Sequence, residues 1–208
     1  MRRLIRSHGP CTLTPDSRRS PFESLVRAVA HQQLHGAAAE SILRRLRTLC
    51  GTIRYPSAQQ IAALTDDALR GCGFSRSKTA ALRDIAAKTL DGTIPSSRAI
   101  RSMSDDAIIE RLTQVRGVGR WTVEMMLISK LGRPDVLPAD DFGVRNGFRI
   151  AFKLPEIPRP KEVLAYGERW RPFATVASWY LWREADAEKV RLQAAKAKIG
   201  KPVDSYDV

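Results

Sequence analysis

The residues from Leu112 to Phe148, LTQVRGVGRWTVEMMLISKLGRPDVLPADDFGVRNGF, hold the two groupings in this chain that could do chemistry. The first is Gly117-Val118-Gly119, a tight turn feeding a helix that opens near Trp121. The first N–H groups of a helix have no partner inside it, and the positive end of its dipole lies behind them. A glycine turn at that point therefore cradles an anion such as phosphate. The second grouping is the acidic pair Asp140-Asp141, about twenty residues further on. A carboxylate near a phosphate cradle is repelled by the cradle's own ligand. A chain that keeps both uses the negative charge, to stabilise a developing cation or to orient water.

Helical signals place both groupings. Ser20-Pro21-Phe22-Glu23 is a capping box with proline at the first helical position, and Phe22, Leu25, Val26 and Val29 then share one face. A second helix runs through AAAESILRRLRTL to Cys50. The connection His31-Gln32-Gln33-Leu34-His35-Gly36 is too polar for a core and reads as an exposed link that touches something. Pro56-Ser57 and Thr65-Asp66-Asp67 open short helices, Ser75 or Ser77 caps the next, and Ser104-Asp105-Asp106 caps the one that ends at the glycine turn. The recurrence of Ser/Thr-Asp-Asp-Ala, an apolar stripe and Gly-x-Gly suggests two related helix–turn–helix units. Asp140 or Asp141 opens a helix to Phe152, prolines 155, 158 and 160 mark a linker, and FATVASWYLWREADA forms a last helix before a loose basic tail at 186–208. Strand-like alternation is confined to Thr52-Ile53-Arg54, so the fold class is all-α, with roughly nine to eleven helices.

Composition narrows the function classes. The 208 residues are 43% hydrophobic, enough for a substantial core, yet no apolar run approaches the roughly 18 residues that cross a bilayer. The N-terminal MRRLIRSHGP is basic and lacks the apolar stretch of a secretory signal. A net charge of +13 favours a polyanionic partner. Cys11, Cys50 and Cys72 lie far apart and give neither a disulfide framework nor a zinc or iron–sulfur spacing, which fits a reducing interior.

The segment Leu112–Val123 resembles the helix-hairpin-helix element. Together with PFESLVRAVAHQQLHGAAA, LRGCGFSRSKTAALRDIA and LPADDFGVRNGF, residues 21–182 resemble the helix-hairpin-helix DNA glycosylase superfamily, in its bacterial 3-methyladenine-DNA glycosylase II branch. The resemblance implies two helical lobes with a cleft between them, lobe one from about 20–50 plus 140–185 and lobe two from about 55–135. It implies hydrolysis of the N-glycosidic bond of alkylated purines (3-methyladenine and 7-methylguanine type) in duplex DNA by base flipping, in a bacterial cytoplasm. Only about twenty residues precede the first expected helix, so the compact form, acting as a monomer on DNA, is expected.

By that resemblance Asp141 matches the catalytic aspartate. Adjacent helical residues project about 100° apart, so one acid faces the reaction and Asp140 becomes a cap or a solvated neighbour; the alternative is that both merely cap a helix. A carboxylate about 4 Å from an oxocarbenium-like sugar, at an effective dielectric of about 20, contributes about 4 kcal/mol. Gly117, Val118 and Gly119, flanked by Arg116 and Arg120, are expected on the DNA backbone, with both glycines free to take positive φ and Val118 plugging the gap between helices. Gly73, Ser75, Ser77 and Lys78 are expected to hold a second phosphate, or else form a solvated turn. Trp121, Met125, Trp170 and Phe173 are expected to line the base pocket, with Trp121 the alternative of core packing. By alignment Gln33 fills the stack left by the flipped base and His35 contacts the minor groove beside it, against two polar residues at a helix break.

Strand-cutting relatives carry a lysine just after the hairpin. Here Trp121 stands there, and Arg120 is too basic to be an amine nucleophile, so a monofunctional enzyme is expected. No cofactor is expected beyond a monovalent cation held by the carbonyls of Thr113, Val115 and Val118. Two rivals stand beside this reading. One is a non-catalytic DNA-binding or damage-sensing protein, which has no use for an acid facing the backbone. The other is a glycosylase for uracil, hypoxanthine or an oxidised purine, whose neutral leaving group demands more donors in the pocket.

Overall fold

A computed structural model describes residues 1–16 and 18–199, with side chains described through residue 195. The described residues form eleven α-helices and no strand. In chain order they are α1 Arg2–His8, α2 Pro21–His31, α3 Gly36–Leu49, α4 Ala58–Ala63, α5 Asp66–Gly71, α6 Arg76–Leu90, α7 Asp105–Leu112, α8 Arg120–Met126, α9 Phe142–Phe152, α10 Pro160–Gly167 and α11 Ala174–Ile199. A π-helical turn, Leu127–Leu131, extends α8. The all-α expectation holds.

The chain divides into two compact units, Thr14–Gly132 and Met1–Leu13 with Arg133–Val208. This differs from the expected lobes, which grouped residues 20–50 with 140–185. The apolar face of α2 (Leu25, Val26, Val29 and Ala30, all buried) packs on α3 and α6, which keeps both early helices with the central ones.

In the Thr14–Gly132 unit, side chains start nearly every helix. Ser20 and Glu23 close a full capping box on α2, Ser57 and Gln60 close one on α4, and Thr65, Ser75 and Ser104 cap α5, α6 and α7. Each such cap is worth about 1 kcal/mol, which matters for helices this short. Helix C-termini are held from a distance. The Lys78 ammonium donates to the carbonyls of Ala30 (2.9 Å) and Gln32 (2.7 Å) at the end of α2. The Arg83 guanidinium donates to Ala62 (2.8 Å), to Leu64 and to Asp66 (2.9 Å), pinning the α4–α5 corner on α6. Leu25, Leu43, Leu46, Ile61, Leu82 and Ile85 fill the space beneath and are fully buried.

In the other unit α9 and α11 form the main contact. Gly147 sits where they cross: a Cβ built on it would lie 1.9 Å from the Leu181 carbonyl oxygen. Only a residue with no side chain permits that approach. Phe148, one residue on, packs its ring against Phe152, Tyr166 and Trp170 at 4.4–6.0 Å between centroids. The sequence reading placed no helix before Ser20. Yet α1 forms and packs on α11 through Leu4, with His8 Nε2 2.7 Å from the buried Glu184 carboxylate and the Tyr180 hydroxyl donating to Gly9 O at 2.9 Å. One adjacent apolar pair, Leu4-Ile5, among arginines gives no periodicity to read. Residues 186–199 of the expected loose tail continue α11, and 200–208 lie outside the described residues.

Replacing Gly147 with alanine forces α9 and α11 apart. Urea unfolding of Gly147→Ala should show a loss of about 3 kcal/mol, the upper range for overpacking.

Candidate active site

The hairpin joins α7 to α8. Val118 N–H bonds the Val115 carbonyl at 3.0 Å, and the Val118 side chain is buried. Gly117 takes φ 76°, and its Cα lies so near α6 that a Cβ would stand 3.2 Å from that of Ala81. Gly119 corrects the expectation for both glycines: at φ −90°, ψ 170° it is extended backbone, and a Cβ there meets nothing. No side chain caps α8 at Gly119, which suits a helix start that receives an anion.

Two side chains fix the turn. Asp84 on α6 accepts the Arg116 backbone N–H at 2.7 Å and the Lys88 ammonium at 2.8 Å. Burial raises the Asp84 carboxyl pKa, but these two donors outweigh it and hold it below the ordinary value. Gln32 donates its side-chain N–H to the Gly117 carbonyl at 2.9 Å, tying the α2–α3 connection to the hairpin. The Arg116 side chain stays exposed. Arg120 is partly committed elsewhere, since its Nε donates to Glu124 at 2.9 Å and so compensates a buried carboxylate.

Within the same unit lies a cavity of about 610 Å³ lined by Arg27, His31, Gln33, Trp121, Met125 and Lys130, among others. Trp121 is 47% exposed, so it borders the cavity rather than packing in a core. Gln33 is exposed and holds φ 56°, a left-handed backbone uncommon outside glycine, which presents its side chain outward at a conformational cost of about 1 kcal/mol. His35 is exposed at the N-cap of α3 and makes no capping bond. Sequence reasoning missed Arg27, His31 and Lys130. Glu40 holds the first two, bonding Arg27 Nη1 and, at 3.0 Å, His31 Nε2. Arg27 and His31 stand four apart on the polar side of α2, and that spacing was the available signal. Lys130 is 7% exposed, and burial pushes its pKa down.

Three expectations change. Trp170 and Phe173 do not line this cavity: Trp170 is 9% exposed in the Phe148–Tyr166 ring cluster, and Phe173 is 62% exposed. Lys78 spends its ammonium on the end of α2 rather than on a second phosphate. Of its companions, Ser75 caps α6 with its hydroxyl 3.0 Å from that of Ser77 in the helix's first turn, and Gly73, Ser75 and Ser77 are exposed.

The third change concerns the acids. Asp141, not Asp140, is the N-cap of α9, and Asp140 is exposed. Both precede the first helical residue, so position at the cap separates them rather than angle around a helix. Asp141 Oδ1 accepts the Val144 N–H at 2.8 Å and also the indole Nε1–H of Trp182 at 2.8 Å. Gly143 makes room: a Cβ there would stand 2.9 Å from Trp182 Cδ1 and 3.0 Å from Asp141 Oδ1. Aromatic spacing along a helix does not tell a packed indole from one that donates across to a carboxylate, so the sequence reading assigns Trp182 no such bond.

Residues 26–172 match the family described as HhH-GPD superfamily base excision DNA repair protein. The chain is 45% identical to the DNA-3-methyladenine glycosylase 1 of Schizosaccharomyces pombe over 166 residues, 80% of this chain and 73% of that protein. It is similar to the solved structure of the Schizosaccharomyces pombe 3-methyladenine DNA glycosylase in complex with abasic DNA, with TM-score 0.74 and 42% identity over 88% of this chain and 89% of that one. It is also similar to the DNA-3-methyladenine glycosidase of Bacillus halodurans, with TM-score 0.82 and 31% identity over 90% of this chain and 85% of that one.

The Asp84 clamp has a testable sign. Its lowered folded pKa contributes stability above the unfolded carboxylate value of about 3.9, and that contribution disappears as pH falls through the folded value. Asp84→Ala should cost about 1–3 kcal/mol at neutral pH by urea unfolding, with the difference from wild type shrinking in acid.

Proposed function

The chain belongs to the HhH-GPD superfamily of base excision DNA repair proteins, and on that premise we propose that it hydrolyses the N-glycosidic bond of alkylated purines in duplex DNA, leaving an abasic site. The observation that carries this reading is Asp141, a carboxylate held on one oxygen by two N–H donors at the start of α9. Capping α9 accounts for the Val144 bond, but a protein that only bound DNA has no use for a second donor, from α11, on an acid that DNA repels.

An N3- or N7-alkylated purine already bears positive charge and leaves without a strong general acid. The Asp141 carboxylate then stabilises the sugar as it becomes oxocarbenium-like, and orients or deprotonates the attacking water. The hairpin backbone at Gly117–Gly119, with Arg116 and the outward part of Arg120, holds phosphates without reading sequence. Gln33 fills the vacated stack and His35 lies in the minor groove beside it. Trp121 and Met125 receive the flipped base, the indole stacking on a cationic ring for about 0.5–2 kcal/mol. The carbonyls of Thr113, Val115 and Val118 would hold a monovalent cation within the turn, where the Val118–Val115 bond already gathers the backbone. Such an ion would supply positive potential beside a phosphate. With Trp121 in the lyase lysine's place, the reaction stops at the abasic site, and the protein works as a monomer.

Methylated duplex DNA incubated with the protein should release 3-methyladenine and 7-methylguanine, identified by chromatography. Asp141→Asn should lower the rate about 100-fold or more. Release of no base by wild type, or equal release by the variant, overturns the reading. Borohydride should trap no covalent adduct with abasic DNA, and a trapped adduct refutes the monofunctional reaction.

A further inference from the structure

We propose that Trp182 is a positioning residue for the reaction, acting through Asp141; the proposal rests on the catalytic reading of that acid. Capping α9 requires only one donor–acceptor pair, and Asp141 Oδ1 already has it in the Val144 N–H. The Trp182 indole brings a second donor to the same oxygen from a different helix. Two bonds from α9 and α11, both 2.8 Å, fix the rotation about Cβ–Cγ and thereby the direction of Oδ2.

The surrounding backbone is built to allow this contact. Gly143 and Gly147 stand four residues apart on α9, and side chains at either would collide with Trp182 or with the Leu181 carbonyl next to it. The indole is also only partly buried, packed at the edge of the cluster that contains Trp179, Tyr180 and Leu181. An indole whose N–H had only to be satisfied could reach water there. It instead engages the one carboxylate that the chemistry uses.

The test separates the N–H from the ring. Installing 3-benzothienylalanine at position 182 keeps the bicyclic shape and replaces the donor with sulfur; Trp182→Phe is the simpler companion. Under single-turnover conditions on methylated duplex DNA, the sulfur variant should excise base about 10- to 100-fold more slowly. Its affinity for the duplex and its melting temperature should match wild type, so that the whole loss falls on the chemical step. A wild-type rate in the sulfur variant overturns the role of Trp182 while leaving Asp141's intact. A wild-type protein that releases no base, or an Asp141→Asn variant as active as wild type, overturns both.

Discussion

Gly147 against the Leu181 carbonyl sets how closely α9 and α11 can approach, and the geometry of the acid follows from that distance. The crossing brings the Trp182 indole to the first turn of α9, where the Asp141 carboxylate waits as a cap. The ring cluster of Phe148, Phe152, Tyr166 and Trp170 then packs beside the crossing and resists its slipping. Core packing and the orientation of a reactive group are thus two results of one backbone contact.

The Thr14–Gly132 unit reaches order by another route. Its helices are short and joined by tight turns, so many backbone groups at helix ends lie outside the regular ladder. Long polar side chains from elsewhere in the unit satisfy them: Lys78 at the end of α2, Arg83 at the end of α4, Asp84 at the hairpin, Gln32 at Gly117. The hairpin is therefore held from α6 and from the α2–α3 connection together, and Gln33, next to Gln32, shares that anchoring.

Much of this was legible in the sequence where the determinant was local. The capping boxes at Ser20 and Ser57 and the caps at Thr65 and Ser104 lie within four residues of what they satisfy, and the helices begin there. The glycine turn and the acidic pair were legible for the same reason. What escaped depends on partners far along the chain. Trp182 meets Asp141 across 41 residues, Lys78 meets the end of α2 across 46, and Glu184 holds α1 through His8 across 176. Trp170 and Trp182 are the same residue type twelve positions apart, and only packing decided that one fills a core and the other donates to the acid. The grouping of α2 and α3 with the central helices was likewise a matter of which faces met.

The glycines at 143 and 147 also bear on ancestry. Neither touches DNA in any reading given above, yet a side chain at 147 would meet the Leu181 backbone and one at 143 the Trp182 indole, so both resist substitution. The string DDFGVRNGF is thus a record of two separate demands, one chemical and one steric, written over the same nine positions. A descendant that lost only the acid would keep the string almost whole, fold as its parent does, and resemble a repair enzyme while performing none of the chemistry.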